Sequence, residues 1–417
     1  MKIISFLGLG NYRETTYVSI DGSQTCQTRF FQEALVKFYS PEILYVMLTN
    51  KAENEIPNGQ SETNWSALER ILKESEFKGK LEPIRNIPEK NSPDDIWQIF
   101  KSVTELLEPG DEVIFDITHS FRSIPIVALI SVSYLRIVKE VKIAGLLYGA
   151  FEAKNETTNE TPIFDLLPIV SLLDWTTATD QFIKTGNGES LAKLLTGNGS
   201  ETDRLANNIQ SIAQGLQVLR PKDVMRQASV LSENIELATQ QISQKVPPFA
   251  SLLKRVETDY GKFGLANPED YTSQAQEVLW KELEMIKWYE EKGQIVQAVS
   301  LAREWLPSLL CFKFALDPMD KNNRDQMELL LRGGKEKNKE TGVTKESIYL
   351  ERFKSEFPQE LTKKLSELWN GESINLANLR NDVLHAGFRK NSKTASMITV
   401  KIKEIIAELD YIAKNFL

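Results

Sequence analysis

The first 170 residues alternate short apolar runs with stretches of helical periodicity. Apolar runs at residues 2–7, 43–48, 81–87, 113–115 and 141–150 predict strands, and residues 17–21 predict a hairpin arm. Apolar residues spaced three and four apart predict helices at 27–39, 64–74, 93–107 and 124–138. Because strands and helices alternate, we predict an α/β fold with a doubly wound, mostly parallel sheet.

From about residue 173 onward the pattern is helical. Residues 173–285 carry amphipathic segments, among them one over 221–245, and no strand pattern, which predicts an all-α connector. Residues 286–417 keep the helical spacing around a Gly- and Lys-rich loop at 332–345 and predict an all-α bundle. Its long first helix starts near 283, with a break near Gly293. We therefore predict three domains, at 1–172, 173–285 and 286–417.

Length, charge and cysteine content narrow the class of protein. A chain of 417 residues is too long for one compact core. Its formal net charge of −8 excludes a whole-surface polyanion binder, so any nucleic-acid contact needs a local basic patch. Cys26 and Cys311 give neither a disulfide framework nor metal-ligand spacing, which fits the cytoplasm. The most apolar stretch, residues 124–138, is too short to cross a membrane.

The chain has two histidines, His119 and His385, and each lies in a dense polar motif. The first motif, DITHSFRSIP at 116–125, joins a predicted strand to a predicted helix. Ligands of open α/β sheets bind outside the carboxyl ends of strands, and a helix start favours phosphate, for which Arg122 offers a bidentate donor. A well-capped turn with no ligand is an equally good interpretation of these residues alone.

Polar residues follow two other predicted strands, and would gather with this motif at one sheet edge. Asn11 follows the first strand and Asn50 the second, while Thr118 belongs to the motif itself. A pocket of such side chains suits a nucleotide with several phosphates. The pair Gly8 and Gly10 lacks the third glycine of a dinucleotide-binding loop, so it is a weak signal on its own.

The second motif, RNDVLH at 380–385, offers the groups that cut RNA without metal. Asn381 and His385 lie four apart and share a helix face, with Arg380 beside it. A base takes the ribose 2′-OH proton and cations stabilise the charged transition state. One His per chain is too few for both base and acid, which predicts a composite site between two chains. The alternative is a helix-end His that only interacts with the helix dipole.

Residues near this motif strengthen its link with nucleic acid. Between Val383 and Lys403 there are five Lys or Arg residues and no Asp or Glu. Such a stretch is a local patch for a phosphate backbone on an otherwise acidic protein.

Three stretches of the first domain resemble the CARF domains of CRISPR-associated accessory proteins. They are FLGLGNY at 6–12, LTN at 48–50 and DITHSFRSIP at 116–125, where Ser120 replaces the Gly of the family's Asp-x-Thr-His-Gly signature. The resemblance implies a Rossmann-like fold that dimerises and binds cyclic oligoadenylate. The residues it implies for binding are Gly8, Gly10, Asn11, Tyr12, Thr49, Asn50, Asp116, Thr118, His119, Ser120, Phe121 and Arg122.

The last domain resembles HEPN ribonucleases, which are all-helical and act as dimers. RNDVLH at 380–385 is similar to their Arg-Asn-x-x-x-His motif, and GQIVQAVSLAREW at 293–305 to their opening helix. Together the two halves resemble the type III CRISPR-associated CARF–HEPN ribonucleases of the Csx family. The resemblance implies a cytoplasmic endoribonuclease that cleaves single-stranded RNA without metal or cofactor, as a homodimer or a higher oligomer of dimers. Its implied catalytic residues are Arg380, Asn381 and His385.

The activator implied by this resemblance is a cyclic oligoadenylate, with the tetra-adenylate preferred. A cyclic-oligoadenylate sensor, or a ring nuclease that degrades its own ligand through His119 and Ser120, is the alternative function. The sequence does not give the ring size, the RNA sequence preference or any assembly beyond a dimer.

Overall fold

The computed structural model describes residues 1–89, 92–119, 124–242, 248–271, 273–337 and 344–417. The chain divides into two compact units, Met1–Leu173 and Asp174–Leu417. We call them the amino-terminal unit and the carboxy-terminal unit. The further division of the second unit near residue 285 stays a prediction, and that position lies inside a helix, Ala275–Glu291.

Within the described residues, the amino-terminal unit contains an eight-stranded sheet of order β3-β2-β8-β7-β6-β1-β4-β5. Its strands are β1 (Lys2–Leu7), β2 (Thr15–Val18), β3 (Thr25–Thr28), β4 (Ile43–Thr49), β5 (Lys80–Ile87), β6 (Glu112–Asp116), β7 (Lys142–Gly149) and β8 (Glu160–Asp165). The predicted α/β class is confirmed.

The sheet is mixed, which refines the prediction of a mostly parallel sheet. The five strands from β5 to β7 run parallel, whereas β8 is antiparallel to β7, and β3 to β2. The connections explain the two antiparallel pairs, because each is too short for the crossover helix that a parallel pair needs. The predicted arm at 17–21 is thus a longer hairpin, and the predicted helix at 27–39 starts only at Phe31.

Helices cover both faces of the sheet. They are α1 (Phe31–Tyr39), α2 (Asn50–Asn54), α3 (Asn64–Glu74), α4 (Pro93–Glu105), α5 (Ile124–Val138) and α6 (Leu167–Thr185), which continues into the carboxy-terminal unit. One core packs α1 and α3 against the sheet, and a second core packs α4 and α5 against its other face. The N-cap predicted at Ser92 is confirmed by a capping box with Asp95.

The carboxy-terminal unit is mainly helical. Its helices are α7 (Glu189–Leu195), α8 (Ser200–Gln217), α9 (Pro221–Ser229), α10 (Leu231–Ile242), α11 (Phe249–Tyr260), α12 (Ala275–Glu291), α13 (Ile295–Lys313), α14 (Lys321–Leu331), α15 (Leu350–Glu356), α16 (Gln359–Asn370), α17 (Leu376–Leu384) and α18 (Ala395–Phe416). A large hydrophobic core that includes Trp288, Trp305 and Trp369 fills the unit.

Two details of the helical half differ from the predicted pattern, and one agrees with it. The helix predicted over 221–245 is interrupted at Val230, between α9 and α10. The break predicted near Gly293 is confirmed, because α12 and α13 are separated there and the φ of +71° suits glycine. The predicted all-α bundle also carries a short hairpin, β9 (Lys335–Lys337) with β10 (Thr344–Glu346).

In the part of the chain that the structure describes, no helix is long and apolar enough to span a bilayer.

Candidate functional site

The polar ends of β1 and β6 are neighbours at the position where the strand order reverses. Strand β1 lies between β4 and β6, with β4 and β5 on one side and β6, β7 and β8 on the other. Such a topological switch point is where open α/β sheets bind ligands. A cavity of about 300 Å³ lies here, lined by the loop after β1, by Thr49, and by Thr118 and His119 after β6.

Tyr12 and Asn64 hold the loop after β1 in place. The Tyr12 hydroxyl accepts a hydrogen bond from Gly8 N (2.9 Å) and donates to Gly8 O (3.1 Å). The buried amide of Asn64 donates to Gly8 O (2.9 Å) and Gly10 O (2.8 Å). A Cβ at Gly10 would lie 2.7 Å from the Tyr12 ring, so the close contact requires glycine. Asn64 is not among the predicted binding residues, because in the sequence it is only a polar residue at the start of an amphipathic helix.

Asp116 supports the site from below instead of lining the cavity. Its carboxylate is completely buried, accepts a hydrogen bond from Ser5 Oγ (2.5 Å) and accepts another from Thr118 N (2.8 Å). Burial raises the pKa of Asp116 to about 6. Gln32, also buried and not predicted, donates to Ser5 Oγ (2.9 Å). Asp116 therefore fixes the start of the β6 loop, and its direct contact with a ligand stays a prediction.

His119 presents an uncharged ring to the cavity. Its ring lies against that of Tyr12 with centroids 4.0 Å apart and planes tilted by 37°, and its Nε2 accepts a hydrogen bond from Phe31 N (3.5 Å). Burial lowers the pKa of His119 to about 3, so the imidazole is neutral at pH 7. A neutral aromatic pair suits stacking with a nucleobase better than pairing with a phosphate.

Thr118 and His119 also line a second cavity, of about 220 Å³, whose charged lining residues are Arg13, Arg29 and Glu152. Arg29 donates to Gln60 Oε1 (2.5 Å), lies over the Phe30 ring and is 3.9 Å from Glu62. The two arginines, which are not among the predicted binding residues, place cations in the same cavity as Thr118 and His119.

The other predicted binding residues have different environments. Thr49 is buried and caps α2 by accepting a hydrogen bond from Ala52 N, whereas Asn50 is exposed. Asn11 lines the second cavity and accepts a hydrogen bond from Gln60 Nε2 (3.1 Å). Ser120, Phe121 and Arg122, which the sequence analysis also predicts, lie outside the described residues.

The second predicted site lies at the carboxyl end of α17. Arg380 Nη1 donates to Asn381 Oδ1 (3.2 Å), and the His385 N–H donates to the Asn381 carbonyl (2.9 Å). His385 is the C-cap residue, and its side chain is exposed. The structure thus brings Arg380 and Asn381 together and places the His385 ring in solvent one turn further on.

A tight turn follows His385. Ala386 N donates to the Val383 carbonyl (3.1 Å) and Gly387 N to the Asp382 carbonyl (3.2 Å), the two bonds of a Schellman motif. Both Ala386 (φ +52°) and Gly387 (φ +75°) are left-handed. This stop, which the sequence analysis predicted at Gly387, fixes where the His385 side chain leaves the helix.

Two buried polar atoms in this motif have no hydrogen-bond partner among the described residues. They are Arg380 Nε and Asp382 Oδ1. The other oxygen of Asp382 accepts a hydrogen bond from Lys393 N (2.8 Å), which ties the following loop to α17. The guanidinium of Arg380 is therefore only partly satisfied among the described residues, with Nη1 bonded to Asn381 and Nε buried without a partner.

Exposed cations and apolar side chains lie close to His385 in the sequence. Arg389, Lys390 and Lys393 are exposed, whereas Lys401 and Lys403 pair with Glu404 and Glu290. The predicted basic stretch is therefore concentrated in its first three members. The exposed apolar residues are Leu384 (47% exposed), Phe388 (92%), Met397 (50%) and Val400 (55%).

Two known families match separate parts of the first 270 residues. Residues 2–162 match the family described as the CARF domain of the CRISPR system endoribonuclease Csx1. Residues 171–270 match the second domain of the CRISPR-associated protein MJ1674. MJ1674 from Methanocaldococcus jannaschii is 31% identical over 141 residues, which are 33% of this chain and 22% of that protein. The chain thus matches less than a quarter of the length of this curated relative.

Among solved structures, Enterococcus italicus Csm6 bound to cyclic hexa-2′-fluoro-hexa-dAMP superposes with a TM-score of 0.48 at 10% sequence identity. The superposition covers 99% of this chain and 93% of that one. The family matches end at residue 270, so the HEPN resemblance of the last domain stays a prediction. The family matches support a CRISPR-associated protein whose amino-terminal unit carries a CARF domain.

Proposed function

We propose that this protein is an endoribonuclease of type III CRISPR antiviral defence, activated when cyclic oligoadenylate binds its CARF domains. The observation that carries the proposal is the presence of an Arg-Asn-x-x-x-His motif with an exposed histidine, His385, in a chain whose residues 2–162 match the CARF domain of Csx1. The motif is too short to identify a nuclease by itself. Its position behind a CARF domain gives it a regulatory input.

The activator is a cyclic oligoadenylate, preferentially the tetra-adenylate, shared by two CARF domains. The adjacent rings of Tyr12 and His119 support this choice because they offer an uncharged aromatic surface to adenine. Arg13 and Arg29, in the adjoining cavity, provide charge for the phosphates. The same ligand must prefer the active arrangement of the protein, since a ligand of equal affinity for both states shifts nothing.

The reaction is attack of a ribose 2′-oxygen on the neighbouring phosphate. His385 of one chain takes the 2′-OH proton, the 2′-O–P bond forms, and the P–O5′ bond breaks. A second imidazole gives a proton to the departing 5′-oxygen, so the products are a cyclic phosphate and a 5′-hydroxyl. Arg380 donates to the phosphate oxygens, where negative charge grows in the transition state. This scheme requires no metal.

Because each chain contributes one such histidine, the working site is formed by two chains. The apolar side chains around His385 support pairing through this surface, since Phe388 is 92% exposed and Leu384 is 47% exposed. Around them, Arg389, Lys390 and Lys393 provide the positive charge that holds single-stranded RNA.

The deciding experiment measures cleavage of a labelled single-stranded RNA in EDTA, with and without cyclic tetra-adenylate or cyclic hexa-adenylate. Wild type is compared with His385→Ala and with Glu372→Ala, an exposed position just before α17. We expect one ring size to stimulate wild type and Glu372→Ala alike. His385→Ala should lose about 100-fold or more of the stimulated rate, as expected for loss of a general base. Equal cleavage by His385→Ala would refute the catalytic assignment.

A sensor without ribonuclease output, or a ring nuclease, is the second candidate. The observation that favours it is His119, an imidazole that lines the proposed ligand cavity beside Thr118, although burial lowers its pKa to about 3 and makes it a weak base. Incubating the protein with cyclic tetra-adenylate and separating the products tests it. Linear fragments formed by wild type but not by His119→Ala would support ring cleavage, and intact ligand would exclude it.

A further inference from the structure

The carboxy-terminal unit contains a cavity that takes no part in the proposed ribonuclease chemistry. Its volume is about 480 Å³, and it is lined by α12, by α13 and by the turn that follows α13. Val278, Leu279, Phe312 and Leu316 give it an apolar wall.

Glu282 is the unusual member of this lining. Its side chain is only 8% exposed. In the part of the chain that the structure describes, it accepts no hydrogen bond and forms no ion pair, although buried carboxyl groups are normally paired. Burial raises the pKa of Glu282 to about 7, against the opposing influence of Lys222 and Arg324.

The two cations that influence Glu282 are engaged elsewhere. Lys222 Nζ lies 4.5 Å from the centre of the Tyr271 ring and 3.3 Å from Met319 Sδ. Arg324 donates to Ser308 Oγ (3.0 Å) and forms an ion pair with Glu304. Among the described residues, neither cation therefore bonds directly to the Glu282 carboxylate.

The mouth of the cavity is also acidic. Glu269, Asp270 and Asp317 line it together with Glu282. Glu269 pairs with Arg226, and Asp317 Oδ1 accepts a hydrogen bond from Met319 N (2.8 Å), which leaves its second oxygen for a ligand. Four carboxyl groups around an apolar wall disfavour phosphates and carboxylates, and they favour a cation with an aliphatic body.

We propose that this cavity binds an aliphatic diamine or polyamine. One ammonium group donates to Glu282 inside the cavity, the methylene stem packs on Val278 and Leu279, and a second ammonium group meets Asp317 at the mouth. A stem of this kind explains why an apolar wall separates acidic groups. A bare metal ion would leave that wall unused, because such ions prefer several oxygen ligands on one side.

Calorimetric titration of the full-length protein with spermidine and with 1,5-diaminopentane in 0.15 M NaCl tests the proposal. The variant is Glu282→Gln, which keeps the shape of the side chain and removes its charge. The matched control is Glu277→Gln, an exposed glutamate on the same helix. We expect Glu282→Gln to bind about tenfold or more weakly, the usual effect of losing a charge-assisted hydrogen bond, while Glu277→Gln binds like wild type.

A second comparison separates a diamine from a simple amine. Asp317→Asn keeps an acceptor for Met319 N and should weaken binding of 1,5-diaminopentane without changing that of pentylamine. Equal binding by wild type and Glu282→Gln would overturn the proposal, because it would reduce the effect to general attraction of a cation to an acidic protein. Equal affinity of wild type for pentylamine and 1,5-diaminopentane would overturn the two-point site. Binding of adenosine that depends on Glu282, without binding of either amine, would overturn it as well.

Discussion

Two glycines in one loop differ in what a methyl group would meet. A Cβ at Gly10 would lie 2.7 Å from Tyr12 Cε1, whereas one at Gly8 would lie 3.4 Å from the Tyr12 hydroxyl, an ordinary contact. Overpacking costs about 1–3 kcal/mol, so Gly10→Ala must displace the Tyr12 ring or strain the loop. We expect Gly10→Ala to bind cyclic tetra-adenylate about tenfold or more weakly.

Gly261→Ala is the control for that experiment, because Gly261 lies outside the predicted binding residues and a Cβ there would meet only Glu257 Cγ, at 3.8 Å; its affinity should stay within about threefold of wild type. Calorimetric titration of both variants with cyclic tetra-adenylate measures the difference. Equal losses in the two variants would show that the Tyr12 ring is not what positions the ligand.

A second prediction at the scale of one residue concerns Glu282 and how the free energy of unfolding depends on pH when no amine is present. Its folded-state pKa of about 7 lies above its ordinary value, so between these values the native protein binds more protons than the unfolded chain. The free energy of unfolding that this group contributes is fully present below the ordinary pKa and is lost as pH rises through about 7. Glu282→Gln does not titrate and should escape that loss.

Urea titrations at pH 5 and pH 7.5 measure this prediction. The stability of Glu282→Gln relative to wild type should rise between them by up to about 3 kcal/mol, at most about 1.4 kcal/mol per pH unit. Glu277→Gln, on the exposed side of the same helix, should show no such rise. The same relative stability at both pH values would mean that Glu282 is not buried as a lone carboxyl.

Sequence reasoning found the residues that the known motifs contain, and missed those that support them. Asn64 and Gln32 are single polar residues inside amphipathic helices, and nothing in their spacing distinguishes them from surface positions. The resemblance to CARF domains implies Asp116 as a ligand contact. Its burial against Ser5 depends on β1 and β6 being neighbours, which is a long-range property.

At the scale of one element, α4 depends on its cap. Ser92 Oγ accepts a hydrogen bond from Asp95 N, and the Asp95 carboxylate accepts one from Ser92 N (3.1 Å). Ser92→Ala removes the side-chain acceptor for a helix-end N–H, which costs about 1 kcal/mol. The midpoint of urea unfolding should fall accordingly.

The control for the cap is Ser102→Ala on the same helix. Ser102 Oγ donates to the Gln98 carbonyl one turn earlier, and alanine is the better helix former, so the midpoint should not fall. A loss of equal size in both variants would mean that the capping box contributes nothing beyond an ordinary serine.

The type of an element was predictable wherever a clear apolar pattern extends over many residues. Prediction failed where pairing with a neighbouring strand decides the structure. The five parallel strands and most helices lie where the pattern predicts them. β8 and β3 were missed because short, partly polar segments become strands only through their neighbours β7 and β2. The interruption at Val230 was not predicted because no Gly or Pro lies beside it in the sequence.

At the scale of the whole molecule, sequence alone separated an α/β half from a helical half, and the structure divides close to the predicted residue, after Leu173. What the pattern could not give is a boundary within the helical half, since one continuous core includes Trp175 and Ala413. Helical segments with the same period have the same appearance in a connector and in a catalytic bundle.

The final prediction concerns the number of chains in one ribonuclease site. If two His385 side chains act together, a mixed dimer of wild type and His385→Ala has only one of them and is inactive. Equal amounts of the two proteins, allowed to exchange chains, should then show about a quarter of the wild-type rate, because random pairing makes only a quarter of the dimers fully wild type. Independent sites would give about half.

Cleavage of labelled RNA at saturating cyclic tetra-adenylate measures this rate, and mixing with Glu372→Ala, which should be fully active, shows that mixing itself is harmless. The exposed side chain of Phe388 gives an independent check on pairing. Phe388→Asp places a charge in the proposed apolar contact, which should weaken the dimer and reduce cleavage most at low protein concentration. A rate that falls in proportion to the wild-type fraction, together with full activity of Phe388→Asp, would place the complete catalytic site within one chain.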